Sequence, residues 1–260
     1  MTKIEVLLPI KSPAPWLEET LESLKGQTFT DWRLVAAIHG TDPRVNQLVT
    51  HCFPDAVIVN GKSEGDVAST LNAGLKMTTA PYIARIDADD LAVQERLEKQ
   101  YNYLENHPTV LAVGTGASLI GPNGENLGYR SQIEEPPKIL KRLRWKSPLV
   151  HPSVMYRREA VLSLGGYSEF AANVEDYDLW LRLGALGPLG GIDLPLIKYR
   201  IHPNQITSFR AIPRSALSEV RRSRVALAKV EQRSLIAARY RHLVWVARQE
   251  IRRIQRRGRV

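Results

Sequence analysis

The chain has 260 residues, 43% hydrophobic and 24% charged, which is enough apolar material for a buried core and excludes a disordered polyelectrolyte. Its single cysteine, Cys52, excludes an internal disulfide framework and any multi-cysteine zinc site. The net charge of +9 is an average over unlike parts: residues 214–260 hold fourteen Lys or Arg against three Glu, so a polyanion-binding argument applies to that segment alone.

Ile4 to Ile10 is a continuous apolar run that predicts a buried strand. Met1 to Lys3 leads straight into it without a basic and apolar leader, and Pro13 and Pro15 follow. No apolar run approaches the roughly 18 to 20 residues that span a bilayer, so a cytoplasmic protein is expected. A helix follows whose Leu17, Leu21 and Leu24 share a face and which Gly26 stops. Leu34 to Ile38 is the next strand, and Gly40-Thr41-Asp42-Pro43 turns the chain into a helix with Val45, Leu48 and Val49. A short strand at Ala56 to Val59, a helix carrying Val67, Leu71 and Leu75, and a strand from Tyr82 to Ile86 continue the alternation. Such alternation implies an α/β fold: a mostly parallel central sheet with helices on both faces and right-handed crossovers.

After residue 108 the rhythm is less regular. Val110 to Ile120 predicts a long strand, Gly121-Pro122-Asn123-Gly124 a turn, and Pro136 to Trp145 a helix. Ser153 to Tyr156 reads as a short strand, Arg158 to Leu164 as a short helix stopped by Gly165-Gly166, Tyr177 to Leu186 as an amphipathic helix, and Leu194 to Ile201 as a last strand. These divisions give a first half at 1–108, a second half at 109–213 and a basic helical segment at 214–260.

Two acidic clusters stand at element ends. Asp87, Asp89 and Asp90 follow the strand at Tyr82 to Ile86, where open α/β sheets place their ligands. Three neighbouring carboxylates repel one another, which implies a cation, or a polyanion held through one. Asp90 is expected to cap a helix starting near Val93. Glu175, Asp176 and Asp178 open the amphipathic helix. The plain alternative there is a first helical turn that offsets the macrodipole by about 1 kcal/mol or less. A carboxylate so placed also suits a general base.

Six blocks in order carry a resemblance: Leu24-Lys25-Gly26-Gln27-Thr28-Phe29, Leu71-Asn72-Ala73-Gly74-Leu75, Pro81 through Asp90, His151-Pro152-Ser153, Glu175 through Leu183, and Tyr199-Arg200-Ile201-His202. Together, over about residues 4 to 207, they resemble glycosyltransferase family 2. The resemblance implies a GT-A fold and transfer of a sugar from a nucleotide-sugar donor with inversion at the anomeric carbon. It implies a divalent cation, Mg²⁺ or Mn²⁺, with Asp89 as the direct ligand and Asp87 on the ribose or a metal-bound water. Asp87 and His202 complete the implied metal set, His202 standing equally as a strand-end surface group. Asp176 matches the catalytic base, with Glu175 as neighbour and substitute. Pro9, His39, Asp66, Asn72 and Asp87 fall on the nucleotide side, and His151 and Trp180 on the acceptor side, where a hydrogen-bonded His and a core Trp are the simpler roles.

The chain departs from the family pattern at Ile38-His39, where two adjacent Asp residues are usual, and at Pro9-Ile10-Lys11, where an aromatic is usual. A UDP-sugar remains the default donor, with His39 or Asp66 substituting for the missing base-reading carboxylate. The implied acceptor is a glycan or a lipid-linked precursor in cell-surface polysaccharide synthesis. A degenerate domain that binds nucleotide or glycan without turnover, and an adaptor that binds a membrane or polyanion, stand as alternatives.

In the basic segment, Ile236, Tyr240, Leu243, Ala247, Ile251 and Ile254 recur every three or four residues, with Arg241, Arg248, Arg252 and Arg259 mainly off that stripe. Packing on the catalytic domain or self-association into a homo-oligomer accounts for the stripe. An anionic membrane surface accounts for the arginines as well and suits a peripheral enzyme on the cytoplasmic face of the inner membrane. No nucleic-acid recognition motif accompanies the charge, so no nucleic-acid partner is expected.

Overall fold

The computed structural model describes residues 2–11, 14–40, 42–60, 66–203, 205 and 211–257, with the side chains of 252, 253 and 255–257 excepted. Pro13, Thr41 and Arg259, named above, and the side chain of Arg252 lie outside the described residues.

The first half alternates as its apolar runs dictate. Strands β1 (Ile4–Lys11), β2 (Trp32–His39), β3 (Val57–Asn60) and β4 (Tyr82–Arg85) are separated by helices α1 (Leu17–Lys25), α2 (Pro43–Cys52) and α3 (Val67–Met77). All pair in parallel, in the spatial order β3-β2-β1-β4. Pro9 lies beyond Leu7, where the β1–β4 ladder ends, so its missing N–H breaks no bond to β4. Side chains of β1 alternate between two cores. Leu7 joins Val35, Ile83 and the α3 residues Leu71 and Leu75 on one face, while Val6 and Leu8 join Leu34, Ala36 and the α1 residues Leu17, Leu21 and Leu24 on the other. Gly74 of α3 sits so close to the sheet that a Cβ there would meet Leu7 Cδ1 at 2.5 Å.

The helix expected near Val93 starts later. Leu91–Ala92 forms a short strand β5 against Lys198 and Ile197, and helix α4 spans Arg96–Asn106 with Glu95, not Asp90, before it. Asp90 is therefore not a cap. It is fully buried, and its Oδ1 accepts the backbone N–H of Arg200 at 2.8 Å.

The second half extends the same sheet. Strand β6 (Ala112–Ile120) pairs with β7 (Asn126–Arg130), β8 (Met155–Arg157) and β9 (Leu189–Arg200), and β8 pairs with β4, so no seam falls at residue 108. β7 was not anticipated: all five of its residues are exposed, so it lacks the apolar alternation that marks a strand. Helices α5 (Pro136–Leu143), α6 (Arg158–Ser163) and α7 (Glu175–Leu186) cover one face.

The basic segment is two helices, α8 (Arg214–Val230) and α9 (Leu235–Arg257), not one tail. Ala216, Val220, Leu227 and Trp245 belong to the same core as Leu7 and Trp180. The apolar stripe does not supply this packing. Ile236, Tyr240, Leu243, Ile251 and Ile254 are all more than half exposed, and Ala238, His242 and Trp245 are buried instead. Trp245→Ala is accordingly expected to cost about 3–5 kcal/mol, and Leu243→Ser less than about 0.5 kcal/mol, in urea unfolding followed by circular dichroism. Equally small effects would mark α9 as an independent appendage.

Candidate active site

The parallel strands end together, and their C-terminal edge carries His39 on β2 and the Asp87-Ala88-Asp89-Asp90 turn after β4. Oxygens of Asp87, Asp89 and Asp90 lie within 4.8 Å of one another. The cluster persists because cations stand under it. Arg85 is buried and grips Asp87 with its guanidinium fork, Nη1 donating to Oδ2 at 2.5 Å. Burial and the charge of Asp89 raise the Asp87 carboxyl, and Arg85 opposes the rise. Burial pushes Asp90 well above the usual carboxylate range, helped by Asp89 and Asp87. Arg96, also buried, is lowered to about 9 by its desolvation, against the charge of Asp90.

The far end of β9 closes this edge. The Arg200 side chain is buried and donates through Nε to the Asp89 carbonyl at 2.9 Å, through Nη1 to the Pro122 carbonyl at 2.9 Å, and through Nη2 to Glu19 at 2.8 Å. Two residues on, His202 Nε2 lies 2.9 Å from Asp89 Oδ2, with the ring against Trp16 at a centroid distance of 4.6 Å. Trp16 is fixed in turn by donating Nε1–H to the Pro122 carbonyl at 3.1 Å. The structure thus joins Asp89 and His202, which are more than a hundred residues apart. The Asp90 Oδ2 and His202 Nδ1 atoms have no hydrogen-bond partner among the described residues. Hard oxygen donors beside an imidazole fit a divalent cation. Asp89 and His202 offer it ligands most directly, since Arg85 already engages both oxygens of Asp87.

The second cluster reaches the same place from α7. Asn173, in a left-handed conformation with φ 66°, turns the chain so that Glu175 and Asp176 lead the helix. Burial raises Glu175 to about 7, and the charges of Asp176 and Asp66 add to the rise. Burial also raises Asp176, while the Tyr177 backbone, Arg85, Ser147 and Arg130 hold it down. Ser147 Oγ donates to Asp176 Oδ2 at 3.3 Å. Asp87 and Asp176 feel each other's charge, so the two clusters share one electrostatic environment. Asp178, by contrast, points into the core, where Ser223 donates to it at 2.6 Å and Arg182 at 2.7 Å.

The other anticipated residues divide. Asp66 caps α3 by accepting the Ser69 N–H at 2.8 Å, yet remains within electrostatic reach of Glu175. Asp42 caps α2 and pairs with Arg44, so it is committed away from a nucleotide. Ile38 is buried in the core. Asn72 is corrected to a bracing role: its amide donates to the Tyr167 carbonyl and accepts the Tyr167 N–H, both at 2.8 Å. Gly166, at φ 78°, leaves the space this requires, since a Cβ would meet Asn72 Oδ1 at 2.5 Å. Trp180 is fully buried and cannot touch an acceptor. His151 lies 3.1 Å from the Tyr167 hydroxyl, and burial, followed by the charge of Arg85, lowers it well below its usual value, so the ring is neutral.

Sequence reading passed over Arg85, Arg200 and Trp16. Arg85 was visible as a charge interrupting an apolar strand, a placement that burial makes costly unless a counter-charge is near.

An acidic turn after β4 and a second carboxylate pair at the start of α7 thus belong to one α/β fold. The profile described as glycosyl transferase family 2 matches residues 5–165. The amylovoran biosynthesis glycosyltransferase AmsE of Erwinia amylovora is 32% identical over 199 residues, covering 75% of this chain and 74% of that protein. The O-antigen biosynthesis glycosyltransferase WbnJ of Escherichia coli is 30% identical over 207 residues, covering 76% and 80%. The crystal structure of S. aureus TarS 1–349 in complex with UDP-GlcNAc matches 94% of this chain and 71% of that one, with a TM-score of 0.73 at 15% identity, a likeness of fold. The chain belongs to glycosyltransferase family 2 and is a glycosyltransferase.

Proposed function

We propose that the protein transfers a sugar from a nucleotide-sugar donor to a glycan or lipid-linked acceptor in the synthesis of a surface polysaccharide, with inversion at the anomeric carbon. The observation that carries this reading is the gathering of Asp87, Asp89 and Asp90 at the end of β4, with Arg85 on Asp87 and His202 on Asp89, close enough to the helix carboxylates for Asp176 to raise Asp87. One attack from the face opposite the leaving group needs one base. Asp176 takes the proton of the acceptor hydroxyl as its oxygen bonds to the anomeric carbon, and the bond from that carbon to the diphosphate breaks. Glu175 keeps a second carboxylate beside the first.

Asp89 and His202 would hold a divalent cation, with Asp87 at their side. When bound, the cation supplies Lewis-acid stabilisation of the charge growing on the departing diphosphate. A uridine diphosphate sugar is the default donor, in line with the UDP-GlcNAc bound by TarS. His39 at the end of β2 or Asp66 at the start of α3 would take the part of the missing base-reading carboxylate.

The relatives' names, amylovoran and O-antigen biosynthesis, support a polysaccharide product. No helix among the described residues is long and apolar enough to cross a membrane, so a lipid-linked acceptor would be met by an enzyme attached peripherally through residues 214–260, on the cytoplasmic face.

Incubating purified protein with a panel of nucleotide-sugars, Mn²⁺ and a lipid-linked glycan extract is expected to release nucleotide with one donor. Asp89→Ala and Asp176→Ala should each slow release by a factor of about 10² or more. Wild-type release no faster than in either variant would leave a domain that binds without turnover. A base must be ionised to act, and burial raises Glu175 to about 7 and Asp176 in the same direction. The rate should therefore rise with pH along a limb displaced above the ordinary carboxylate range and level off above it. Glu175→Gln should move that limb to lower pH by removing a neighbouring negative charge. A limb already complete at pH 5 would contradict the assignment.

A further inference from the structure

The outward face of α9 carries a row of exposed apolar side chains. The helix is two-sided. Its inner face is fastened: Ala238, His242 and Trp245 are buried, the Trp245 ring meets Tyr177 at 5.5 Å, and Arg241 stacks over Trp145 at 5.5 Å. On the opposite side Ile236, Tyr240, Leu243, Ile251 and Ile254 are 80, 62, 66, 53 and 62% exposed, with Ala247 exposed among them. Apolar side chains that a domain has room to bury, yet presents in a row, mark an interaction surface.

The spacing and the charge select the partner. The steps along the stripe are four, three, four, four and three residues, which follow the α-helical repeat of about 3.6 and not the coiled-coil repeat of about 3.5. The stripe runs roughly 27 Å along the helix. Exposed Arg239 falls on one flank of the stripe and exposed Arg248 on the other, at 100° per residue. The helix carries seven arginines against one acid, Glu250, which has partners of its own. A second copy docked on this face would set arginine flank against arginine flank, whereas anionic headgroups complement both.

We propose that α9 lies in the surface of an anionic phospholipid bilayer, with its Ile236–Ile254 stripe in the acyl boundary and Arg239 and Arg248 at the headgroups. The inner face then ties this attachment to catalysis, because Trp245 packs on Tyr177, the residue after Asp176. The inference deepens the lipid-linked reading of the acceptor and rests on it for its purpose, although binding is measured without donor or acceptor.

Flotation of the full-length protein with vesicles tests it. The wild type is expected to float with phosphatidylcholine–phosphatidylglycerol vesicles and not with phosphatidylcholine alone. Leu243→Glu/Ile251→Glu and, separately, Arg239→Glu/Arg248→Glu should each lower the bound fraction about tenfold or more. Both double variants should keep the wild-type melting transition and wild-type nucleotide release. Flotation unchanged in either double variant, equal flotation with neutral vesicles, or a dimer split by Leu243→Glu/Ile251→Glu in a protein that binds no vesicles overturns the proposal. Absence of nucleotide release in the wild type would instead remove the transferase reading and leave the flotation result standing.

Discussion

The Arg85 guanidinium is the constraint on which the rest of the site depends. It sits 3% exposed at the end of β4, with its fork on Asp87. A buried cation left without its partner destabilises a fold by about 3–5 kcal/mol, and the same holds for the carboxylates gathered around it. Each charge makes the other tolerable. Arg85 also lowers Glu175 and Asp176 on α7 and helps keep His151 neutral, so one side chain acts on groups from β4, α7 and the loop before β8. Without it, Asp87 would lose its counter-charge, and Glu175 and Asp176 a cation that lowers them.

A second support holds α7 in place. Tyr177 donates its hydroxyl to the Leu143 carbonyl at 2.8 Å and accepts from Arg224 at 2.7 Å, and Asp178 takes the Ser223 hydroxyl. These contacts come from α5 and α8 and fall one and two residues after Asp176. The segment that composition marks as a basic tail is thus part of the site's foundation. Its first helix and the inner face of its second bear on α7, while the outer face of α9 is exposed. The Asp89–His202 pair is clamped independently, by Arg200 and Trp16 across the Pro122 turn.

The parallel half of the fold was legible because burial on both faces writes continuous apolar runs into β1, β2 and β4 and leaves clear helical periods between them. Both acidic clusters were legible because carboxylates at element ends are conspicuous. Asp90 was misread since an acid ahead of a helical pattern resembles a cap, and only the pairing of Leu91 and Ala92 with β9 shows that the helix starts later. The direction of the α9 stripe was not legible either. Periodicity reports that a helix has an apolar face but not which way it turns, and here Trp245 and Ala238, off the stripe, do the packing. The bracing role of Asn72 belongs to the same class, for its partner is the backbone of Tyr167, far along the chain.

The account's central claim is that Arg85 joins the two acidic clusters into one electrostatic unit, and the carboxyl titration of Glu175 tests it most directly. By ¹³C NMR of the full chain, Glu175 is expected to titrate near 7 in the wild type. Removing the guanidinium in Arg85→Met withdraws a charge that holds the carboxyl down, so the titration should move to higher pH, and Arg85→Lys should keep it closer to the wild-type position. A Glu175 titration unmoved by Arg85→Met in a folded protein would show that the strand-end cluster and the helix carboxylates are electrostatically separate and would contradict the account.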